Sequence, residues 1–300
     1  MGAQMQFELI DTLPTACGLG ESTLWHSEHQ AIYWTDMPNN QLIRYFPENG
    51  RKEVFPTAEN LCSFAFIEKS DWLLCAFQSG IARFQPETQA LEWIFRLPQN
   101  LKVRLNDGRM DRQGRFWVGS LIDTPDLWAE DPAQRGKLYC LDSDGNVTEH
   151  LDDIRISNGL GWSPDSRTMY FADSPRYAIY AFDFAPESGQ LSNRRLFATT
   201  EEGVHADGST VDIEGHVWNA QWGNGKVVRY APDGSVAGEI HLPVQQATCV
   251  GFGGPERNLL FVNTAKFGLD ADALRRQPQA GHLFIYATDT RGMEEKFYPG

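Results

Sequence analysis

Basic charge is scarce in this 300-residue chain: 26 Lys and Arg stand against 40 Asp and Glu, a formal net charge of −14. That imbalance repels phosphate backbones and anionic membrane surfaces, so neither nucleic acid nor a membrane is an expected partner. A metal cation or a neutral ligand suits it better. Paired cysteine spacing is missing too. The five cysteines, Cys17, Cys62, Cys75, Cys140 and Cys249, are odd in number and show no CxxC, which argues against a disulfide framework or a zinc knuckle. No apolar run approaches the roughly 18 residues of a membrane span. The N-terminal MGAQMQFELIDTLPTACG has no basic region leading into an apolar one, so no signal peptide is expected and the expected location is cytoplasmic. Nucleophile-elbow, HExxH and P-loop motifs are absent. Gly251-Phe252-Gly253-Gly254 lacks the third glycine and the helix of a dinucleotide fingerprint.

What the chain has is a repeat. In HADGSTVDIEGHVWNA, His205 to Ala220, a polar residue (Asp207) stands four positions ahead of an apolar one (Val211). A polar turn, Asp212 to Gly215, and an aromatic-rich run follow, which reads as strand, tight turn, strand. Similar units open at Glu21, Cys62, Asn106, Asn158 and Thr248, and Met169 to Asp173 of the fourth parallels Ile32 to Asp36 of the first. The equivalent positions Trp34, Leu74, Trp117, Phe171, Trp218 and Phe261 recur at the spacing of propeller blades. Twelve per cent aromatics, 27 Gly and 16 Pro fit many short strands rather than long helices. The expected fold is all-β, a single six-bladed β-propeller over residues 1–300, in preference to a two-sheet sandwich, which needs no repeat. The spare strand Phe7 to Leu13 is expected to pair with the C-terminal strands and close the ring, removing exposed edges.

The leading residues form a column, Glu21, Cys62, Asn106, Asn158, Asp207 and Thr248, each four positions before Trp25, Phe66, Met110, Trp162, Val211 and Phe252. Innermost strands of a propeller line a central channel, so such a column becomes a ring at one channel end. Four of its six members offer a carboxylate or amide oxygen, the donors that hard divalent cations take. Taken singly, Asn106-Asp107-Gly108, Asn158-Gly159 and Asp207-Gly208 read as turn dipeptides. The shared register favours ligation, since Glu21 falls in it without a following glycine.

Other residues carry less. Cys62 has no histidine in register to activate it and reads as a buried apolar thiol. His26 and His29 straddle a hairpin turn and are expected to be exposed. Arg104 and His205 each precede a column residue by two, so Arg104 can share a strand face with Asn106, with a surface ion pair as the alternative. The Asp123-to-Gln134 and Leu269-to-Gly281 segments interrupt the strand rhythm, and one is a candidate lid.

The stretches RLNDGRMDRQGRFWVGS, ISNGLGWSPD, DGSTVDIEGHVW, FGG and GLDADALRRQPQAG together resemble the regucalcin/gluconolactonase family, also called the senescence-marker and luciferin-regenerating-enzyme family, over nearly the whole chain. The resemblance implies a six-bladed propeller with one divalent metal at the channel end and hydrolysis of sugar lactones. It places metal ligands at Glu21, Asn158 and Asp207, and substrate contacts at Arg104 and Asn106. It also gives Asp207 the role of general base. Calcium is the leading metal, with zinc, magnesium, manganese and iron as alternatives. Ala206 stands where many relatives carry proline, and a further substrate carboxylate, near Asp123 or Thr124, is left unassigned. Gluconolactone, galactonolactone, arabinonolactone and xylonolactone all remain as substrates. Other readings are an aryl-ester or organophosphate hydrolase, a non-enzymatic calcium-binding propeller, and an interaction scaffold. Oligomeric state is not addressed by the sequence.

Overall fold

The structure is a computed structural model that describes residues 6–100, 102–122 and 135–300. The described residues form six four-stranded antiparallel sheets and a single α-helix, Ala271–Arg276. This is the expected six-bladed propeller. The innermost strands are β2 (Gly20–His26), β6 (Leu61–Phe66), β10 (Val103–Met110), β14 (Ser157–Trp162), β18 (His205–Val211) and β22 (Ala247–Gly253). Five blades are simple meanders. The sixth runs β22, β23 (Leu259–Thr264), β24 (Leu283–Thr288) and then β1 (Phe7–Leu13), with Phe7 opposite Thr288 and Leu13 opposite Leu283. The first strand thus completes the last blade, as the sequence predicts.

The second strands are buried on both faces because each sheet is sandwiched between two neighbours. β3 (Ala31–Asp36) and β11 (Phe116–Ile122) are buried at every residue, whereas the outermost β5 (Arg51–Pro56) and β13 (Val147–Ile154) carry their charges to solvent. The recurrent positions Trp34, Leu74, Trp117, Phe171, Trp218 and Phe261 fill the spaces between blades, none more than 3% exposed. Trp117 and Trp218 also need a partner for the indole N–H, and Asp111 and Asp212 supply it at 2.9 and 3.0 Å.

Two devices shape the channel. Every inner strand carries an irregularity in its pairing at the column residue, between Glu21 and Leu24, Leu61 and Ser63, Leu105 and Gly108, Asn158 and Gly161, Ala206 and Ser209, and Ala247 and Cys249. A bulge re-aims the side chain at that point. It recurs in all six blades, and four of the six leading residues, Glu21, Asn106, Asn158 and Asp207, line the channel mouth. The second device is the glycine that follows. A Cβ at Gly208 would lie 2.8 Å from Cys249 Sγ and 2.9 Å from its Cα. At Gly159, φ is +60° and a Cβ would meet Ala172 and Ser209 at 3.0 Å. These glycines let adjacent inner strands approach around the axis. The Asn-Gly and Asp-Gly pairs are therefore not tight turns.

The far end of the channel is crossed by the C-terminal tail. Gly292 bridges Asp212, Tyr298 pairs with Ile67 and donates its hydroxyl to the Asp142 carbonyl at 2.7 Å, and Arg109 reaches Glu295 at 3.9 Å.

Candidate metal centre and active site

At the open end, a cavity of about 240 Å³ is lined by Glu21, Arg104, Asn106, Asn158, His205 and Asp207 together with a more apolar rim. All five residues singled out from the sequence for metal or substrate are in it. Column members Cys62 and Thr248 are not among its lining. Thr248 spends its hydroxyl on the Gly20 carbonyl, and Cys62 is a buried thiol pushed up to about 11, by burial first.

Hydrogen bonding fixes the two amides. Ser174 Oγ donates its single proton to the Ala206 carbonyl at 2.6 Å, so it can only accept from Asn158 Nδ2, 2.8 Å away. Asn158 Oδ1 is thereby turned to the other side, where it accepts from Asn106 Nδ2 at 3.1 Å and keeps a lone pair for a cation. Asn106 also donates to the Ser157 carbonyl (2.8 Å), and its oxygen accepts from Arg104 Nη1 at 2.9 Å. Arg104 turns onto Asn106 and the Leu105 carbonyl (3.0 Å), with Cys62 Sγ at 3.8 Å. His205 donates from Nδ1 to the Ser174 carbonyl (3.1 Å) and stacks on Tyr177, ring centroids 5.3 Å apart.

Charge in this site is out of balance. Burial raises Glu21 well above the usual carboxylate range, Asp207 and Asp107 raise it further, and Arg104 opposes them. Asp207 is likewise raised, by burial and then by Asp107, against a hydrogen bond from the Gly208 N–H. Asp107, pushed up to about 6 by burial, accepts from the Leu160 N–H at 3.1 Å. It is the residue that sequence reasoning missed, having been taken only as part of an Asn-Asp-Gly turn. It sits in the bulge between Leu105 and Gly108, which the alternation of residues along the strand does not reveal.

Two carboxyl groups and a locked amide oxygen lining one cavity, with Asp107 near enough to raise both acids, fit a hard divalent cation. Glu21, Asp207 and Asn158 offer the oxygens. Asn106 has its oxygen engaged with Arg104 and fits a ligand-orienting role better than a ligating one. The neutral buried thiols of Cys62 and Cys249 (the latter pushed up to about 12, by burial first) offer no soft donor.

Other acidic and histidine groups behave differently. Asp212, Glu214 and His216 lie close enough to share an ion. Arg229 occupies that position instead, with Nη2 at 2.8 Å from Asp212 Oδ2, 2.5 Å from Glu214 Oε2 and 3.1 Å from His216 Nδ1. The expectation that His26 and His29 are exposed holds for His29 only. His26 is buried because its ring is stacked 3.6 Å from that of His29 and packed edge-on by Phe66 and Phe297, the latter from the C-terminal tail. Of the two lid candidates, 123–134 lies outside the described residues. Leu269–Gly281 holds the helix Ala271–Arg276, capped by Asp270 Oδ1 on the Ala273 N–H at 2.7 Å.

Comparison with known proteins agrees with this architecture. Residues 19–266 match the SMP-30/Gluconolactonase/LRE-like region, and the chain belongs to that family. It is 36% identical to L-arabinolactonase from Azospirillum brasilense over 97% of this chain and 95% of that one. It is 31% identical to 6-deoxy-6-sulfogluconolactonase from Pseudomonas putida, covering 94% and 95%. A crystal structure of regucalcin from Agrobacterium tumefaciens, described as a calcium-binding protein, superposes with a TM-score of 0.89 at 30% identity over 97% and 98% of the two chains. Among the described residues, no helix is long and apolar enough to cross a membrane.

Proposed function

We propose that this protein is a divalent-metal-dependent lactonase that hydrolyses an aldonolactone to the aldonic acid. The observation that carries the reading is the convergence of Glu21, Asp207 and the Ser174-locked Asn158 oxygen at the channel mouth, with Arg104 and Asn106 beside them. The relatives named for arabinonolactone and sulfogluconolactone hydrolysis support it. Glu21, Asn158 and Asp207 would hold the cation, and calcium suits their all-oxygen chemistry best. When bound, the cation supplies Lewis acidity to the lactone carbonyl and lets both carboxylates ionise.

The remaining chemistry belongs to the chain. Asp207 accepts a proton from the water that attacks C1, and the same proton is returned to the ring oxygen as the C1–O bond breaks, leaving a hydroxyl and a carboxylic acid that ionises in water. Arg104 and Asn106 form one rigid hydrogen-bonded unit, and their remaining donors orient the hydroxyl and ring oxygens of the substrate. Among the described residues lining the cavity Arg104 is the one guanidinium, and the excess of acid beside it favours an oxygen-rich neutral substrate.

The test is acid release, followed with a pH indicator, from a panel of aldonolactones after chelator treatment and resupply of calcium, magnesium, manganese, iron or zinc. Turnover restored by one metal and favouring one sugar supports the reading. Metal uptake with no turnover above the spontaneous rate on any lactone refutes it in favour of a non-enzymatic calcium-binding propeller, which the same oxygen donors would serve.

A further inference from the structure

The donors of the site are concentrated in some blades and missing from others. The inner strands pack side by side in the cyclic order of the blades. The blade of β10, which carries Arg104 and Asn106, therefore lies across the axis from the blade of β22. The latter contributes no oxygen at its column position, because Thr248 is committed to the Gly20 carbonyl. What it contributes is Phe267, just after β23, whose side chain is 64% exposed at the cavity mouth. An exposed phenylalanine is ordinary on a loose loop, but here the backbone is pinned. The N–H groups of Lys266 and Phe267 both donate to the Gly18 carbonyl, at 3.0 and 2.9 Å, and Ala265 bridges Leu19.

Beside it stands Trp222, at the end of β19 (Val217–Trp222), half-buried and paired with His205 on one side and Gln246 on the other. The two rings lie 6.3 Å apart at 56°. Gly268, at φ +79°, is within 3.1 Å of the indole at the position of a Cβ, so a side chain there would push the pair apart. Leu19, Leu121, Ile156 and Pro175 extend the apolar rim. The cavity is thus two-sided, with hydrogen-bond donors on the β10 blade and an aromatic face opposite.

We propose that Trp222 and Phe267 form an aromatic wall that takes the C–H face of the lactone while its hydroxyl edge faces Arg104 and Asn106. The proposal rests on the lactonase reading above and narrows its substrate class. The preferred lactone is neutral and presents an unbroken C–H surface, through to an unsubstituted or deoxy terminal carbon. A charged terminal group would be desolvated against the rings, next to Glu21 and Asp207, with nothing gained.

The experiment compares an aldono-γ-lactone, its 6-deoxy analogue and its 6-carboxylate analogue on the full, metal-loaded chain. The native protein should use the 6-deoxy compound at least as well as the parent and the 6-carboxylate at least about tenfold less efficiently. Phe267→Ala should raise KM for the neutral lactones about tenfold with kcat within about twofold, the pattern of lost uniform binding. Phe267→Tyr should restore the native KM, and Trp222→Leu should act in the same direction as Phe267→Ala. An unchanged KM in Phe267→Ala overturns the wall.

Calorimetry with the non-hydrolysable lactam of the parent sugar separates the two readings. If no lactone is turned over but the lactam binds and Phe267→Ala weakens it about tenfold, the lactonase reading fails and the wall stands. If lactam binding is absent, or indifferent to Phe267, the wall is wrong whatever the turnover.

Discussion

Two acidic clusters sit at the two ends of the same strand, and they solve the same electrostatic problem in opposite ways. At one end of β18, Asp207 faces Glu21 and Asp107; Arg104 opposes the rise at Glu21 and Arg109 that at Asp107, yet burial pushes all three carboxyl groups upward. Just past the other end, Asp212 is fully buried as well, yet it accepts from Trp218 Nε1, from backbone N–H groups and from Arg229. Asp111 repeats the second solution, accepting from Arg115 Nε at 2.6 Å and from Trp117. A buried acid can be neutralised by a cation built into the chain or by one that comes from outside. The fold supplies the first where an acid is structural and withholds it where the channel opens to solvent. Proximity of acidic groups alone therefore does not identify the metal centre, because the tightest such cluster already holds a guanidinium.

The contrast can be broken from either side. Arg229→Leu strands the Asp212 charge in the core and should cost about 3–5 kcal/mol of unfolding free energy, read by urea denaturation, while the folded fraction keeps its metal affinity. A loss of metal binding without loss of stability would reverse the assignment of the two clusters. Asp207→Ala should do the opposite, lowering lactone turnover by on the order of 10²-fold or more with little loss of folding stability. Near-native turnover in that variant would remove Asp207 from the chemistry.

The same comparison predicts a stability that depends on metal and pH. A carboxylate whose pKa is raised on folding stabilises the protein below its ordinary titration range and loses that contribution as pH rises through the folded value. The metal-free protein should therefore melt at lower temperature at pH 8 than at pH 5.5, and a divalent cation should close the gap. Glu21→Gln should raise the melting temperature of the chelated protein at pH 8 by roughly 2–6 °C, the equivalent of about 1–2 kcal/mol, while abolishing the response to metal. A metal-free melting temperature that rises steadily with pH would contradict the electrostatics of the site. The smallest effect expected is that of Ser174→Ala. It frees the Asn158 amide to rotate and should weaken metal binding about tenfold in a titration, without moving the lactone KM at saturating metal.

Most of this architecture was legible from residue spacing. Trp34, Trp117 and Trp218 mark equivalent blade positions because each fills the same gap between sheets, and a repeated packing problem leaves a repeated residue type. The column from Glu21 to Thr248 was legible for the same reason, since one register serves six inner strands. The rest required three dimensions. Asp107 joins the site through a bulge, a one-residue irregularity that leaves no mark in the hydrophobic pattern. Phe267 and Trp222 are 45 residues apart in sequence and meet only where two neighbouring blades adjoin. His26 is buried by Phe297, a contact with the tail that local hairpin geometry cannot foresee.

The pairing of β1 with β24 has a consequence for the order in which this protein comes into being. Leu13 cannot find Leu283 until the last blade has been synthesised, and until then Glu21 lies at an open gap rather than in a closed circle. Closing so long a loop is slow relative to forming each local meander. The blades can therefore assemble one by one during synthesis, while the ring of oxygen donors is completed last. On the proposed function, a nascent or truncated chain is then a stack of folded sheets without its cation site, and the onset of tight cation binding would mark the moment at which the circle shuts.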